Sequence, residues 1–158
     1  MLKWRNVVEK LKVRENCHIV TCGIILIDEN DNILAGHTTG KEWRAYGTYD
    51  ILKGCAEEGE EDIDAAIREL KEESSFDVTV YKDQIEDIGI FNYLANKDIH
   101  LFKLRLKILP KLSTLKCGSF FERDGKQIPE INEFRIISRN ERQYFSKSLL
   151  KVFKKINL

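Results

Sequence analysis

"GCAEEGEEDIDAAIRELKEESSF", residues 54–76, is the stretch on which the reading of this chain turns. At about 100° per residue, Ile63, Ala66, Ile67 and Leu70 fall on one face of a helix. That pattern predicts a helix over Asp62–Ser74. Glu69, Glu72 and Glu73 then stand at i, i+3 and i+4 on an adjacent face. Like charges so spaced cost an isolated helix a few tenths of a kcal/mol per pair. A hard divalent cation offsets that cost, because it takes carboxylate oxygens. The plainer reading is an amphipathic helix with surplus glutamates on a solvated face.

Outward from the helix, residues 18–27, "HIVTCGIILI", are β-branched and apolar and read as a buried strand. "DENDN" turns the chain and "ILAGH" returns beside it. Residues 37–50, "HTTGKEWRAYGTYD", read as a long surface loop leading into a short strand, "DILK". Beyond the helix, "FDVTVY" reads as a strand by alternation. "IGIFNYL" and "IHLFKLRLKIL" read as two more, joined by "ANKD", and Pro110 ends the second. "FERDGK" is an Asp-Gly turn and "NEFRIIS" a last strand. "SKSLLKVFKKI" is a closing helix with Leu149, Leu150, Phe153 and Ile156 on one stripe. Strands with helices between and after them predict an α/β domain, a mixed β-sheet sandwiched between helices.

The chain has 158 residues, 42% hydrophobic and 33% charged, which fits one globular domain over 1–158. Lys plus Arg equals Asp plus Glu, 26 each, which argues against a general nucleic-acid or membrane binder. The charge is uneven: residues 57–64 hold six acids and no base, and residues 139–158 hold six bases and one acid, net +5. The basic segment reads as a solvated helix face. None of the four cysteines forms a CxxC pair and His18 completes no zinc set, so zinc is not expected. No apolar run approaches the roughly 20 residues that span a bilayer. A cytoplasmic protein with reduced thiols and no membrane partner is expected.

The quoted stretch resembles the signature of the Nudix hydrolase family. That signature runs Gly, five residues, Glu, seven residues, Arg-Glu, an aliphatic residue, any residue, Glu-Glu, any residue, Gly, then an apolar residue. Gly54, Glu60, Arg68, Glu69, Leu70, Glu72, Glu73 and Phe76 stand at those spacings. One position departs, with Ser75 in place of the last glycine. It follows the helix, where a positive φ is expected, and serine there costs roughly 1 kcal/mol. The departure touches the helix cap and no ligand. "YDILKG" resembles the family's approach to the motif, with Leu52 where proline is frequent, and "EINEFRIIS" resembles its late strand.

The resemblance implies a single-domain Nudix fold and hydrolysis of a nucleoside diphosphate linked to another moiety, with Mg²⁺ or Mn²⁺ as cofactor. By the matched positions, Glu69, Glu72 and Glu73 are the metal ligands and catalytic acids. The carbonyl of Lys53 or Gly54 could join them, since Gly54 has no side chain to block the approach. Glu60 binds metal through water or orients the loop. Arg68 corresponds to the arginine that anchors a box glutamate, or it makes a plain i,i+4 pair with Glu72. The general base stays open between a box glutamate and Asp98, Glu122, Glu130 or Glu133.

For the substrate, Trp43, Tyr46 and Tyr49 could stack on a base or pack against the sheet. Phe91 and Tyr93 share that ambiguity. Arg44 and Lys53 could meet phosphate oxygens, while His37 and His100 receive no role. The partner is a small-molecule nucleotide: ADP-ribose, a dinucleoside polyphosphate or similar. Two alternatives stand beside it. Removal of a cap or pyrophosphate from an RNA 5′ end is supported by the +5 segment alone, and a non-catalytic nucleotide sensor is mildly supported by Ser75. A homodimer is open.

Overall fold

The computed structural model describes residues 10–41 and 45–158. The elements in chain order begin with β1 (Ile19–Ile27), β2 (Ile33–Thr38), β3 (Tyr49–Asp50), β4 (Lys53–Cys55) and α1 (Asp62–Ser74). They continue with β5 (Glu86–Leu94), β6 (Lys97–Arg105), β7 (Phe120–Arg123), β8 (Lys126–Pro129), β9 (Ile131–Ile137) and α2 (Lys147–Lys155). Seven strands form one sheet in the order β3-β2-β1-β6-β5, with β4 added to β1 and β9 to β2. β1 and β6 run parallel and the other pairs antiparallel, so the sheet is mixed.

The uninterrupted apolar run of β1 follows from its place at the centre, where both faces are buried. Val20, Cys22, Ile24 and Leu26 pack on one face with Ala65, Ala66 and Leu70 of α1. Ile25 and Ile27 pack on the other with Leu149, Val152 and Phe153 of α2. The alternation is the two-residue period of a strand. Each fully buried leucine there contributes roughly 1.5–3 kcal/mol. The expected sheet between helices is therefore present. All four cysteines are free, and among the described residues no helix is long and apolar enough to cross a membrane.

Both ends of α1 are tied down. Asp62 in its first turn accepts from Lys12 at 2.6 Å and meets His100 Nδ1 at 2.7 Å. At the other end Ser75 adopts φ 65°, ψ 8°, and its amide donates to the Lys71 carbonyl. Lys116 and Gly118 donate to the carbonyls of Ser74 and Glu72, at 3.0 and 2.8 Å. The Lys71, Glu72 and Ser74 carbonyls at the end of the helix are thus satisfied.

Several expectations change. "FDVTVY" is not a strand: residues Thr79–Gln84 form a 3₁₀ helix. Asp77 starts it by accepting from both the amide and the hydroxyl of Thr79, a local turn that competes with extension. "DILK" divides between β3 and β4. β6 ends at Arg105, and Ile108 beyond it is 84% exposed. "FERDGK" holds more than a turn. Asp124 and Gly125, both at positive φ, close the two-residue hairpin of β7 and β8.

Candidate active site

β4 and α1 build the site together. β4 pairs with β1 at Cys22↔Gly54, and α1 lies over the same strand, so the glutamates on its flank meet the β4 main chain. Glu69 is 1% exposed and Glu73 6%, while Glu72 sits nearer the rim. The main-chain amide of Lys53 donates to Glu73 Oε2 at 3.0 Å. A Cβ at Gly54 would run into the Glu69 carboxyl group. Glycine is required here because the strand backbone and a carboxylate share one space.

Arg68 answers part of the repulsion. Its Nε and Nη2 grip Glu60 with a two-pronged bond, at 2.8 and 3.0 Å. Its Nη1 reaches Glu69 at 2.7 Å and Glu72 at 3.3 Å. Nη2 also donates to the Cys55 carbonyl. The plain i,i+4 pair with Glu72 is thus only one of several contacts, and the guanidinium ties Glu60, Glu69 and Glu72 together. Glu60 also accepts from the Glu57 amide, so it orients the loop before α1.

A cavity of about 240 Å³ opens beside Glu73, bounded by Thr38, Asp50, Ile51, Lys53, Phe121, Glu130 and Ile131. Burial drives the Glu73 carboxyl well above its ordinary pKa. Lys53 pulls it back, while Glu69 and Glu130 push it further up. Burial alone would lower Lys53, but Asp50, Tyr93 and Glu73 win and hold its ammonium charged. That ammonium lies 3.5 Å from Asp50 and 5.3 Å from the centre of the Tyr93 ring. Asp50 is held by the Tyr93 hydroxyl, by Ser146 Oγ at 3.1 Å and by the Ile51 amide at 2.9 Å. Burial and Asp50 push the Tyr93 phenol up to about 12.

Among the expected substrate contacts, Lys53 lines the cavity. Tyr49 does not serve as a stacking surface. It is 0% exposed, packed in the α2-side core, and its hydroxyl donates to Glu133 at 2.7 Å. β3 pairs with β2 at His37↔Tyr49, and the ring packs edge-on against His37 and Tyr144. Trp43 and Arg44 lie outside the described residues. Of the four late candidates for the base, only Glu130 borders the cavity. Asp98 is buried among Arg14, Asn16 and His18. Glu122 lies exposed in the β7–β8 hairpin, and Glu133 serves Tyr49. The histidines given no role are both engaged, His37 with Asn132 and His100 between Asp62 and Asp87. Asp50 and Phe121 are site residues that the sequence reading did not single out. "YDILKG" carried the one signal for Asp50.

The donor set suits a hard divalent ion, since carboxylate oxygens are its preferred ligands, and Gly54 leaves the space that a side chain would fill. Among the described residues, however, no three His, Cys, Asp or Glu side chains converge as around an ion. Arg68 holds Glu69 and Glu72, and the Lys53 amide holds Glu73. An ion would therefore share these carboxylates with the guanidinium.

The model of one protein family, described as NUDIX domain, matches residues 18–106. A protein of Enterobacteria phage T4, described as an uncharacterized 17.7 kDa protein in the e-segB intergenic region, is 35% identical over 130 residues. The match covers 79% of this chain and 85% of the phage protein. Among solved structures, the NUDIX domain of Shewanella oneidensis NrtR, complexed with ADP ribose, superposes with a TM-score of 0.60 at 10% identity. That match covers 89% of this chain and 86% of the other. A C. elegans Ap4A hydrolase binary complex gives 0.52 at 16% identity, covering 87% and 95%. At these identities the structural likeness is one of fold.

Proposed function

The chain belongs to the Nudix family of hydrolases, and on that premise we propose that it hydrolyses the pyrophosphate bond of a nucleoside diphosphate linked to a second moiety, in a reaction assisted by Mg²⁺ or Mn²⁺. The observation that carries the reading is the burial of Glu69 against Gly54 and of Glu73 against the Lys53 amide, with Glu73 at the wall of a cavity that also holds the charged Lys53. Burial and the neighbouring Glu69 make the Glu73 carboxylate costly to ionise, Lys53 offsets only part of that cost, and a bound cation would offset more. The bound ADP ribose of the NrtR domain and the Ap4A hydrolase support a nucleotide substrate.

Glu69, Glu72 and Glu73 would hold the cation, which when bound neutralises phosphate charge and polarises phosphorus toward attack. The chain's own groups do the rest. Lys53 binds a phosphate oxygen, its charge secured by Asp50 and the Tyr93 ring. Arg68 fixes the glutamate rotamers, so little reorganisation is left for the reaction. Water adds to phosphorus, the bridging P–O bond breaks and the second phosphate leaves with the electron pair. The water proton passes to a carboxylate on the cavity wall, for which Glu73 and Glu130, both lining it, are the candidates.

The test is incubation with Mg²⁺ or Mn²⁺ and a panel of ADP-ribose, diadenosine tetraphosphate, NADH, nucleotide sugars and nucleoside triphosphates, with products followed by phosphorus NMR. Release of a mononucleotide is expected. Binding by calorimetry without any product would replace the hydrolase with a nucleotide sensor.

A further inference from the structure

We propose that the free edge of β5 joins two copies of this chain about a two-fold axis, with the acidic start of each β5 set against the lysine-bordered groove at the end of the other. The inference does not depend on the reaction proposed above. β5 (Glu86–Leu94) closes the strand order β3-β2-β1-β6-β5. One of its edges pairs with β6, and among the described residues no strand pairs with the other. Such an edge presents a row of main-chain donors and acceptors ready for another strand. Edges that stay single are blunted with charges or proline on the strand itself. From Ile88 to Leu94 this strand carries no charge and no proline. Ile90 and Leu94 are instead 42% and 47% exposed. The irregularities against β6 fall at Asp87/Gly89 and Asn92/Leu94, so residues 89–92 stay regular.

The charges at the two ends of the strand select the occupant. Asp83, Glu86 and Asp87 crowd its start, all exposed. Glu86 and Asp87 each keep 60% of their side-chain surface with Lys103 and His100 beside them. At the other end Lys151, Lys154 and Lys155 of α2, also exposed, border a groove of about 630 Å³ together with residues 92–95. Among the described residues no carboxylate lines that groove. Eight steps of the strand separate the two ends by roughly 27 Å, well beyond the screening length of about 8 Å at physiological salt. Within one chain the two ends therefore cannot neutralise each other. A second copy turned about an axis through Ile90, the middle residue of β5, runs antiparallel and brings unlike ends together twice. Glu86 then stands across from Leu94 of the second copy, with Asp83 beyond it. Glu86 lies on the α2 side of the sheet, because its partner Lys103 alternates with Ile99 and Leu101 of the α2-side core. Its carboxylate is thus on the side where the lysines stand. Ile90 meets its own copy, which buries two exposed apolar side chains. A foreign acidic peptide would satisfy the lysines and leave the acids at the start of β5 unanswered. A second copy satisfies both.

The experiment measures the solution mass of the full chain by sedimentation equilibrium, alone and in two charge-reversed forms. One form combines Asp83→Lys with Glu86→Lys, and the other combines Lys151→Glu, Lys154→Glu and Lys155→Glu. The parent is expected at twice the chain mass. Each form alone should be a monomer, its dissociation constant raised at least about 100-fold, because both ends of the interface then repel. An equimolar mixture of the two forms should be a dimer again, because the reversed charges are complementary. A form that failed to fold could not be rescued in this way, so recovery in the mixture separates docking from damage to the fold. Ile90→Lys places a charge at the centre of the edge and should give a monomer as well. A parent that stays monomeric at its highest soluble concentration overturns the proposal. So does a parent dimer that survives Ile90→Lys or either charge reversal, or a mixture that stays monomeric. A monomeric parent whose amide resonances at residues 92–95 shift with added polyglutamate would give the groove to a foreign acidic chain, which overturns the second copy as its occupant.

Discussion

The main-chain amide of Lys53 donates to the buried carboxylate of Glu73 across 3.0 Å, so a strand and a helix 20 residues apart are joined at the candidate site. The bond fixes the Glu73 rotamer, while its other surroundings leave it costly to ionise. Glu73→Gln keeps an acceptor for the amide and removes the charge. Its kcat is expected to fall by at least about 100-fold, with an unchanged circular dichroism spectrum. A variant as active as the parent would remove Glu73 from the mechanism.

Gly54→Ala tests the same junction from the strand side. The new methyl group would meet the Glu69 carboxyl group and force the helix or the strand to move. Overpacking of this kind costs about 1–3 kcal/mol. Urea denaturation should show that loss, together with weaker Mg²⁺ binding by calorimetry. Stability and binding equal to the parent would mean that the backbone approach is not used.

Ser75 separates backbone strain from hydrogen bonding. Its residue sits at φ 65°, and its hydroxyl donates to the Lys116 carbonyl at 2.7 Å. Ser75→Ala keeps the strain and loses the bond, and should destabilise by about 0.5–1.5 kcal/mol. Ser75→Gly loses the same bond but relieves roughly 1 kcal/mol of strain, and should be near neutral. Equilibrium unfolding would rank glycine and serine together above alanine. If alanine matched serine, the tie from the helix end to the loop at residue 116 would contribute nothing.

The acidic helix is legible in the sequence because its information is local. The apolar period of Ile63, Ala66, Ile67 and Leu70 and the glutamate spacing lie within a few turns, and α1 spans Asp62–Ser74 as expected. The opposite wall is not legible, because it is assembled across the fold. Tyr93 meets Asp50 from 43 residues away, and Glu130 arrives through β8 and its hairpin. A single acid among many carries no mark of which cavity it will border. Tyr49 misleads for a related reason. An aromatic next to a glycine-rich loop suits a base or a core equally, and only the β2–β3 pairing decides for the core. "FDVTVY" alternates like a strand, but Asp77 supplies a nearer partner than any sheet edge.

Asp98 supplies the pH prediction. Burial pushes its pKa up, but His18, Asn16 and Arg14 more than offset that, and the carboxyl is held below its ordinary 3.8. The folded state therefore binds this proton less readily than the unfolded chain does. Its stabilisation is present above about pH 3.9 and is lost as pH falls through the depressed folded value. Asp98→Asn should cost about 1–3 kcal/mol at pH 7, since bonds to a charged acceptor are the stronger ones. The gap between parent and variant, read by urea denaturation, should then narrow steadily below about pH 4. Other carboxylates titrate in both proteins and cancel in the difference. A gap that stayed constant down to pH 2 would mean that the charge of Asp98 does not hold the Arg14–His18 segment to β6.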